Sequence, residues 1–132
     1  MSYSVALGTL MRLGGADMVL FPSSYGTVSL PMEETRTIKD RLTWTEGPIL
    51  KSFPVPSAGI HPGLVPQILQ EYGNNVIINA GGGVHGHPKG ARAGAKAFHQ
   101  AIQWVLKRGN FGGISHREFP ELMEALRLWG KK

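Results

Sequence analysis

Two glycine-rich segments of this sequence have the composition of phosphate-binding turns. Gly81-Gly82-Gly83 follows the short apolar run Val76–Ile78 and precedes a long helical pattern. A glycine turn at the carboxyl end of a strand lets backbone N–H groups point at a phosphate without interference from Cβ atoms. Ser57-Ala58-Gly59 ends the preceding strand pattern, so the two turns are predicted to hold one phosphate together. The alternative is a pair of tight turns without a ligand.

A dinucleotide site is the first competing interpretation. Gly81–Gly86 matches the G-x-G-x-x-G pattern, which also needs a following strand and an acidic ribose ligand about 20 residues onward. Lys107–Gly113, at that distance, contains neither. The sequence therefore does not predict dinucleotide binding.

A zinc site is the second competing interpretation, because His85 and His87 form an H-x-H pair and His61 precedes them. Zinc needs further ligands and groups that orient them. In such a loop, hydrogen bonding to the backbone is the favoured role, and no metal ligand is predicted. Ser57 is expected either to donate its hydroxyl to a substrate oxygen or to cap the helix near Pro62. No Ser–His–acid order is present, so no catalytic residue is predicted.

Composition excludes several classes of partner. The chain has 132 residues, no cysteine and a net charge of +5. The apolar runs are too short to cross a bilayer, which needs about 20 residues. The basic residues are scattered and indicate solvated helix faces, so neither a nucleic acid nor a membrane is predicted as a partner. The missing cysteines fit a cytoplasmic protein.

The elements that must position these turns form three strand–helix units between two outer helices. Strand followed by helix at short spacing predicts an α/β fold with a parallel sheet. The strands are predicted at Met18–Phe21, at Phe53–Ile60 (short, because of two prolines) and at Val76–Ile78. The helices are predicted at Tyr3–Leu13, Glu33–Leu42, Pro62–Glu71, Ala91–Lys107 and Pro120–Trp129. Three such units do not close an eight-stranded barrel, so a part of a larger fold is expected.

The order of these motifs resembles the last strands of RuBisCO-family (β/α)8 barrels. Pro54–His61 and Val76–Ala91 look like the seventh and eighth strands with their turns, and Asp17–Gly26 looks like the sixth. Within the family, Phe21–Gly26 and Gly90–Phe98 look most like the 2,3-diketo-5-methylthiopentyl-1-phosphate enolase branch of methionine salvage. The resemblance implies that residues 1–132 are the C-terminal portion of a TIM barrel domain.

Two departures set the chain apart from true carboxylases. Thr27 occupies the place of a loop lysine, and Leu20 the place of a strand histidine. The resemblance also implies that the backbone of Gly59, Gly81 and Gly82 holds a substrate phosphate. It further implies that Ser57 and the neighbouring Ala58 contact the substrate.

The cofactor implied by the resemblance is Mg²⁺, held by a carbamylated lysine and two acids that lie outside this chain. The implied partners are a phosphorylated small molecule and the missing N-terminal part of the barrel, or further copies of the chain. The expected function is that of a C-terminal part of the enolase, inactive alone. Alternatives are a stand-alone phosphate-binding or regulatory module, or another RuBisCO-like isomerase or carboxylase homologue.

Overall fold

A computed structural model describes residues 1–26, 28–45 and 47–131. The strands are β1 (Met18–Pro22) and β2 (Phe53–Ser57). The helices are a π-helix (Ser4–Leu10), α1 (Met11–Leu13), α2 (Met32–Thr43), a 3-10 turn (Pro62–Leu64), α3 (Val65–Tyr72), α4 (Gly81–His85), α5 (Ala91–Arg108) and α6 (Pro120–Trp129). The chain divides into two compact units: unit 1 is Met1–Gly59 with Glu71–Asn79, and unit 2 is Ile60–Gln70 with Ala80–Lys132.

Unit 1 contains a parallel sheet, as the sequence predicts. β1 and β2 pair in parallel, with Met18 opposite Phe53 and Pro22 opposite Ser57. Along β1, Val19 and Phe21 are buried, whereas Met18 and Leu20 are exposed. The continuous apolar run of β1 therefore has one face in the core of the unit and one in contact with solvent.

The predicted third strand, Val76–Ile78, is not a strand in this structure. The backbone N–H of Ile77 does donate to the carbonyl of Pro54 in β2, at 3.1 Å. In a parallel ladder, alternate residues of a strand serve opposite neighbours. Phe53 and Ser57 bond the β1 side, which leaves Pro54 and Pro56 on the other side without N–H donors. Residues 76–78 can therefore donate hydrogen bonds to the carbonyls of Pro54 and Pro56, but these prolines cannot donate in return.

The N-terminal helix is present, but its apolar residues at 10, 11 and 13 do not form its buried face. Leu10, Met11 and Leu13 are exposed. The buried positions are instead Ser4, Gly8 and Arg12, spaced by four residues. A Cβ at Gly8 would lie 2.8 Å from the Cβ of Arg41, so close approach to α2 selects this face rather than an apolar stripe.

Unit 2 is helical, and its two long helices confirm the sequence prediction. α5 buries small residues, including Gly94, Ala97 and Ala101. It ends at Gly109, whose φ of 79° is the left-handed conformation expected of a terminating glycine. α6 contributes Leu122 to the core of the same unit. Within the described ranges 1–26, 28–45 and 47–131, no helix has the length and apolarity of a membrane span.

Candidate functional site

The turn Ser57–Gly59 continues directly from β2 in an unusual backbone conformation. Ala58 has φ 65° and Gly59 has φ 70°. A non-glycine residue in this region costs about 1–3 kcal/mol and persists only when its surroundings enforce it. Both residues are exposed. The Ser57 hydroxyl donates to the carbonyl of Phe21 at 3.0 Å. It does not cap the helix at Pro62, where no side-chain cap is present.

The loop after β1 enforces this conformation. The backbone N–H of Ser23 donates to the carbonyl of Ser57 at 2.7 Å, and its hydroxyl donates to the carbonyl of Ala58 at 2.8 Å. Gly26 lies so close that an added Cβ would be 2.7 Å from the oxygen of Ala58 and 3.2 Å from the nitrogen of Gly59. Only glycine at position 26 leaves room for the turn.

The second glycine segment is a short helix rather than the predicted turn. α4 begins at Gly81 because Ala80 (φ −138°, ψ 65°) breaks the extended backbone there. The first N–H groups of a helix have no partner within it. Gly81 and Gly82 are exposed, and a Cβ on either would meet none of the described atoms within 4 Å. The described residues therefore leave open space at both positions.

The third glycine of the triplet has a packing role instead. Gly83 is buried, and an added Cβ would lie 2.9 Å from the Cα of His61 and 3.1 Å from the ring of Phe98. It would also meet the carbonyl oxygen of Ile60. Gly81 and Gly82 are therefore open positions, whereas Gly83 lets α4 pack closely against residues 60–61 and Phe98.

His87 is a structural residue of unit 2. Its side chain is buried, its Nδ1 accepts from the backbone N–H of Lys89 at 3.1 Å, and its Nε2 lies 3.0 Å from the carbonyl of Glu121. An acceptor role at Nδ1 requires the neutral tautomer with the proton on Nε2, which then donates to Glu121. Both ring nitrogens are thus committed to the backbone, as favoured from the sequence.

His61 and His85, the other two histidines considered for zinc, do not form a metal site with the described residues. His85 is exposed. The ring of His61 stacks on Trp129, with centroids 5.7 Å apart and planes at 16°. Residues 1–26, 28–45 and 47–131 contain no group of three or more His, Cys, Asp or Glu side chains suited to a metal ion.

A carboxylate network joins α5 to α6 beside His87. The Glu121 carboxylate accepts from Lys96 Nζ and Gln100 Nε2, both at 2.7 Å, and Gln100 Oε1 accepts from the backbone N–H of Leu122. These hydrogen bonds, that of Lys96 first, lower the pKa of Glu121 from 4.5 to about 2. The charged carboxylate thus fixes the start of α6, whose backbone holds His87.

This network predicts an acid-dependent contribution to stability. Because its folded pKa is lowered, Glu121 contributes fully above its ordinary pKa of 4.5 and loses that contribution as pH falls toward about 2. After discounting for solvent screening, we expect Glu121→Gln to lower the free energy of unfolding by about 1 kcal/mol at neutral pH. Urea denaturation at several pH values measures it. A difference that stays constant down to pH ~2 would contradict this account.

Some contributors to the site could not be anticipated from motifs. Ser23 and Gly26 hold the Ser57–Gly59 turn. The sequence indicated a loop at residues 23–26, but no motif indicated that this loop contacts the turn. Thr27, one of the two expected departures from carboxylases, lies outside the described residues. A role as phosphate ligands stays a prediction for Ser57, Ala58 and Gly59 of unit 1 and for Gly81 and Gly82 of unit 2.

Comparison with known proteins gives the family. The profile of the ribulose bisphosphate carboxylase large chain, catalytic domain, matches residues 10–129. The chain is 51% identical over 130 residues to a 2,3-diketo-5-methylthiopentyl-1-phosphate enolase of Bacillus cytotoxicus, covering 98% of the chain and 30% of the relative. An enolase of Geobacillus kaustophilus is 50% identical over 127 residues, covering 96% of the chain and 30% of the relative.

A solved structure agrees with these sequence matches. The RuBisCO-like protein of Alicyclobacillus acidocaldarius superposes with a TM-score of 0.87 at 45% identity, covering 98% of this chain and 32% of that one. The predicted fold class, a portion of a RuBisCO-type TIM barrel, is confirmed. The chain spans about 30% of the length of the curated relatives it matches. It belongs to the RuBisCO large-chain family, as a relative of its RuBisCO-like enolases.

Proposed function

We propose that this chain supplies the substrate-phosphate ligands of a 2,3-diketo-5-methylthiopentyl-1-phosphate enolase. The identity of 51% to an enolase over 98% of the chain carries the proposal. The exposed backbone of Ala58 and Gly59, and that of Gly81 and Gly82 at the start of α4, supports it. Backbone N–H groups suit a phosphate because they add partial positive charge without a titratable proton.

The role of these residues is to bind and orient the substrate. A phosphate held by fixed N–H groups places the carbon skeleton at a defined distance from the reacting groups, which removes the entropic cost of orienting it during reaction. Ser57 is half-buried, and its hydroxyl proton is directed at Phe21. The lone pairs of that oxygen remain able to accept a hydrogen bond from a substrate hydroxyl.

Magnesium does not fit the residues that the structure describes. In the described ranges, no set of three or more carboxylates or histidines could hold it. The expectation that Mg²⁺ and its ligands belong to other parts of the barrel stays a prediction. The proposed role of this chain therefore ends at substrate binding.

The partners we propose are a phosphorylated small molecule and the remaining strands of a RuBisCO-type barrel. Met18 and Leu20 on β1, with Phe53 on β2, are 60%, 56% and 46% exposed, so this sheet presents apolar side chains to solvent. Such a face favours burial against further strands. A cytoplasmic location agrees with this role.

A chimeric enzyme tests the proposal. We would replace the matching segment of the Geobacillus kaustophilus enolase with this chain and measure enolisation with Mg²⁺ and substrate. We expect activity from the chimera and, in Gly82→Asp, a loss of kcat/KM on the order of a hundredfold, because a carboxylate would face the phosphate. A Cβ at position 82 meets none of the described atoms of this chain within 4 Å, so this loss would not reflect disruption of the chain's own packing.

Gly82→Asn is the matched control, since it has the same shape without the charge. It is expected to keep most of the activity. A folded chimera without activity would contradict the proposed function. Equal losses in the Asp and Asn variants would contradict the role of the N–H groups at the start of α4.

A further inference from the structure

Tyr25 links the loop after β1 to Glu71, a residue of the same unit that is distant in the sequence. Its hydroxyl donates to the carboxylate of Glu71 near the end of α3, 46 residues along the chain. Burial, and then this hydrogen bond, raise the pKa of the Tyr25 phenol well above its ordinary value of 10. Tyr25 therefore remains a protonated donor throughout the physiological pH range.

The backbone of the same residue is tied to the turn that follows β2. Its N–H donates to the hydroxyl of Ser23 at 3.3 Å, and that hydroxyl donates to the carbonyl of Ala58 at 2.8 Å. The next residue, Gly26, lies against the backbone of Ala58 and Gly59. One side chain thus anchors the loop at its outer end, while the loop backbone contacts the turn at its inner end.

The turn depends on these contacts because of its backbone conformation. Ala58 and Gly59 hold successive positive φ values of 65° and 70°. An alanine adopts this region only when its neighbours enforce it. Ser23 and Gly26 both contact the backbone of this turn, so the position of the loop decides the conformation of the turn.

We propose that Tyr25, held by Glu71, is a positioning residue that keeps the Ser57–Gly59 turn in its anion-accepting conformation. The expected effect on phosphate binding rests on the proposed function, whereas the effect of Tyr25 on the conformation of the turn does not. Without the Tyr25 hydroxyl the loop loses its outer anchor. Ala58 can then relax to negative φ, and the direction of the Gly59 N–H changes.

The test uses the 132-residue chain labelled with ¹⁵N-glycine, which gives probes at its 18 glycines. In Tyr25→Phe we expect the amide resonances of Gly26 and Gly59 to shift, while those of Gly81 and Gly82 in unit 2 stay in place. We expect the affinity for inorganic phosphate to fall about tenfold, as for the loss of one hydrogen bond to a charged group. Tyr3→Phe, which removes an exposed phenol, is the matched control and should change neither.

Variants of Glu71 separate positioning from general stability. Glu71→Gln keeps an acceptor oxygen and should preserve the wild-type resonances of Gly26 and Gly59, whereas Glu71→Ala should reproduce the shifts of Tyr25→Phe. If Tyr25→Phe does not fold, this pair provides the test.

Two results would overturn the positioning role. Unchanged Gly26 and Gly59 resonances in both Tyr25→Phe and Glu71→Ala would do so, as would a phosphate affinity within about twofold of the wild type. If the wild-type chain binds no phosphate, the proposed function loses support, and the glycine resonances alone decide whether Tyr25 positions the turn.

Discussion

Gly94→Ala is expected to destabilise unit 2 by about 3 kcal/mol or more, because the added methyl group would meet backbone that cannot rotate away. A Cβ at Gly94 would lie 2.8 Å from both the Cα and the carbonyl carbon of Val84, and it would also meet the Val84 oxygen. Helix α4 would have to separate from α5. The gain in helix propensity from alanine, about 1 kcal/mol, does not offset this.

Urea denaturation followed by circular dichroism measures the loss, and Gly82→Ala is the matched control. Both substitutions place the same methyl group on a helical glycine of unit 2, but a Cβ at Gly82 meets none of the described atoms within 4 Å. We expect Gly82→Ala to be neutral or slightly stabilising. A loss below about 1 kcal/mol for Gly94→Ala would contradict the rigid packing of α4 on α5.

Regular elements were predictable where one periodicity dominated. α5 follows the predicted helix over Ala91–Lys107 to within one residue, and α6 has the predicted bounds Pro120–Trp129. β1 extends the predicted strand Met18–Phe21 by one residue. These segments succeed because their apolar spacing agrees with the terminating glycines and prolines around them.

The errors arise where individual contacts outweigh periodicity. The residues that the N-terminal helix buries include Arg12, which no hydrophobic pattern selects. Val76–Ile78 has the composition of a strand, but the strand beside it offers prolines in place of donors. In both segments the deciding partner lies elsewhere in the sequence, so local composition could not reveal it.

The candidate site was predictable to the same extent. The glycines of both segments were visible as a motif, but their division into open and packed positions depends on which backbone lies beside each. Gly81 and Gly82 face open space, whereas Gly83 lies against the backbone of Ile60 and His61. The hydrogen bond between Tyr25 and Glu71 joins residues 46 positions apart, and no sequence motif predicts it. Motifs therefore identified the two candidate segments, and the fold alone identified the groups that hold them.

Arg12 is the clearest case of a polar side chain acting as core. Its Nε, Nη1 and Nη2 donate to the carbonyls of Leu50, Arg41 and Ile49 at 2.9, 3.0 and 2.6 Å. The carbonyl of Arg41 is among the last of α2, where a helix has unpaired acceptors and partial negative charge. The guanidinium therefore caps α2 and fastens residues 49–50 to it with one buried side chain.

Arg12→Met is expected to cost about 2–4 kcal/mol, because the thioether keeps the apolar stem but leaves three carbonyls without their charged donor. Lys51 is already exposed, but release of Ile49 and Leu50 should ease the local unfolding that trypsin needs, raising the cleavage rate after Lys51 about tenfold. Arg41→Met is the matched control: its guanidinium is exposed and donates to Thr9 Oγ1. Urea denaturation and timed proteolysis measure the two effects. Equal stability losses in both variants would show that Arg12 contributes only packing, and unchanged cleavage at Lys51 would show that its hydrogen bonds do not hold the segment.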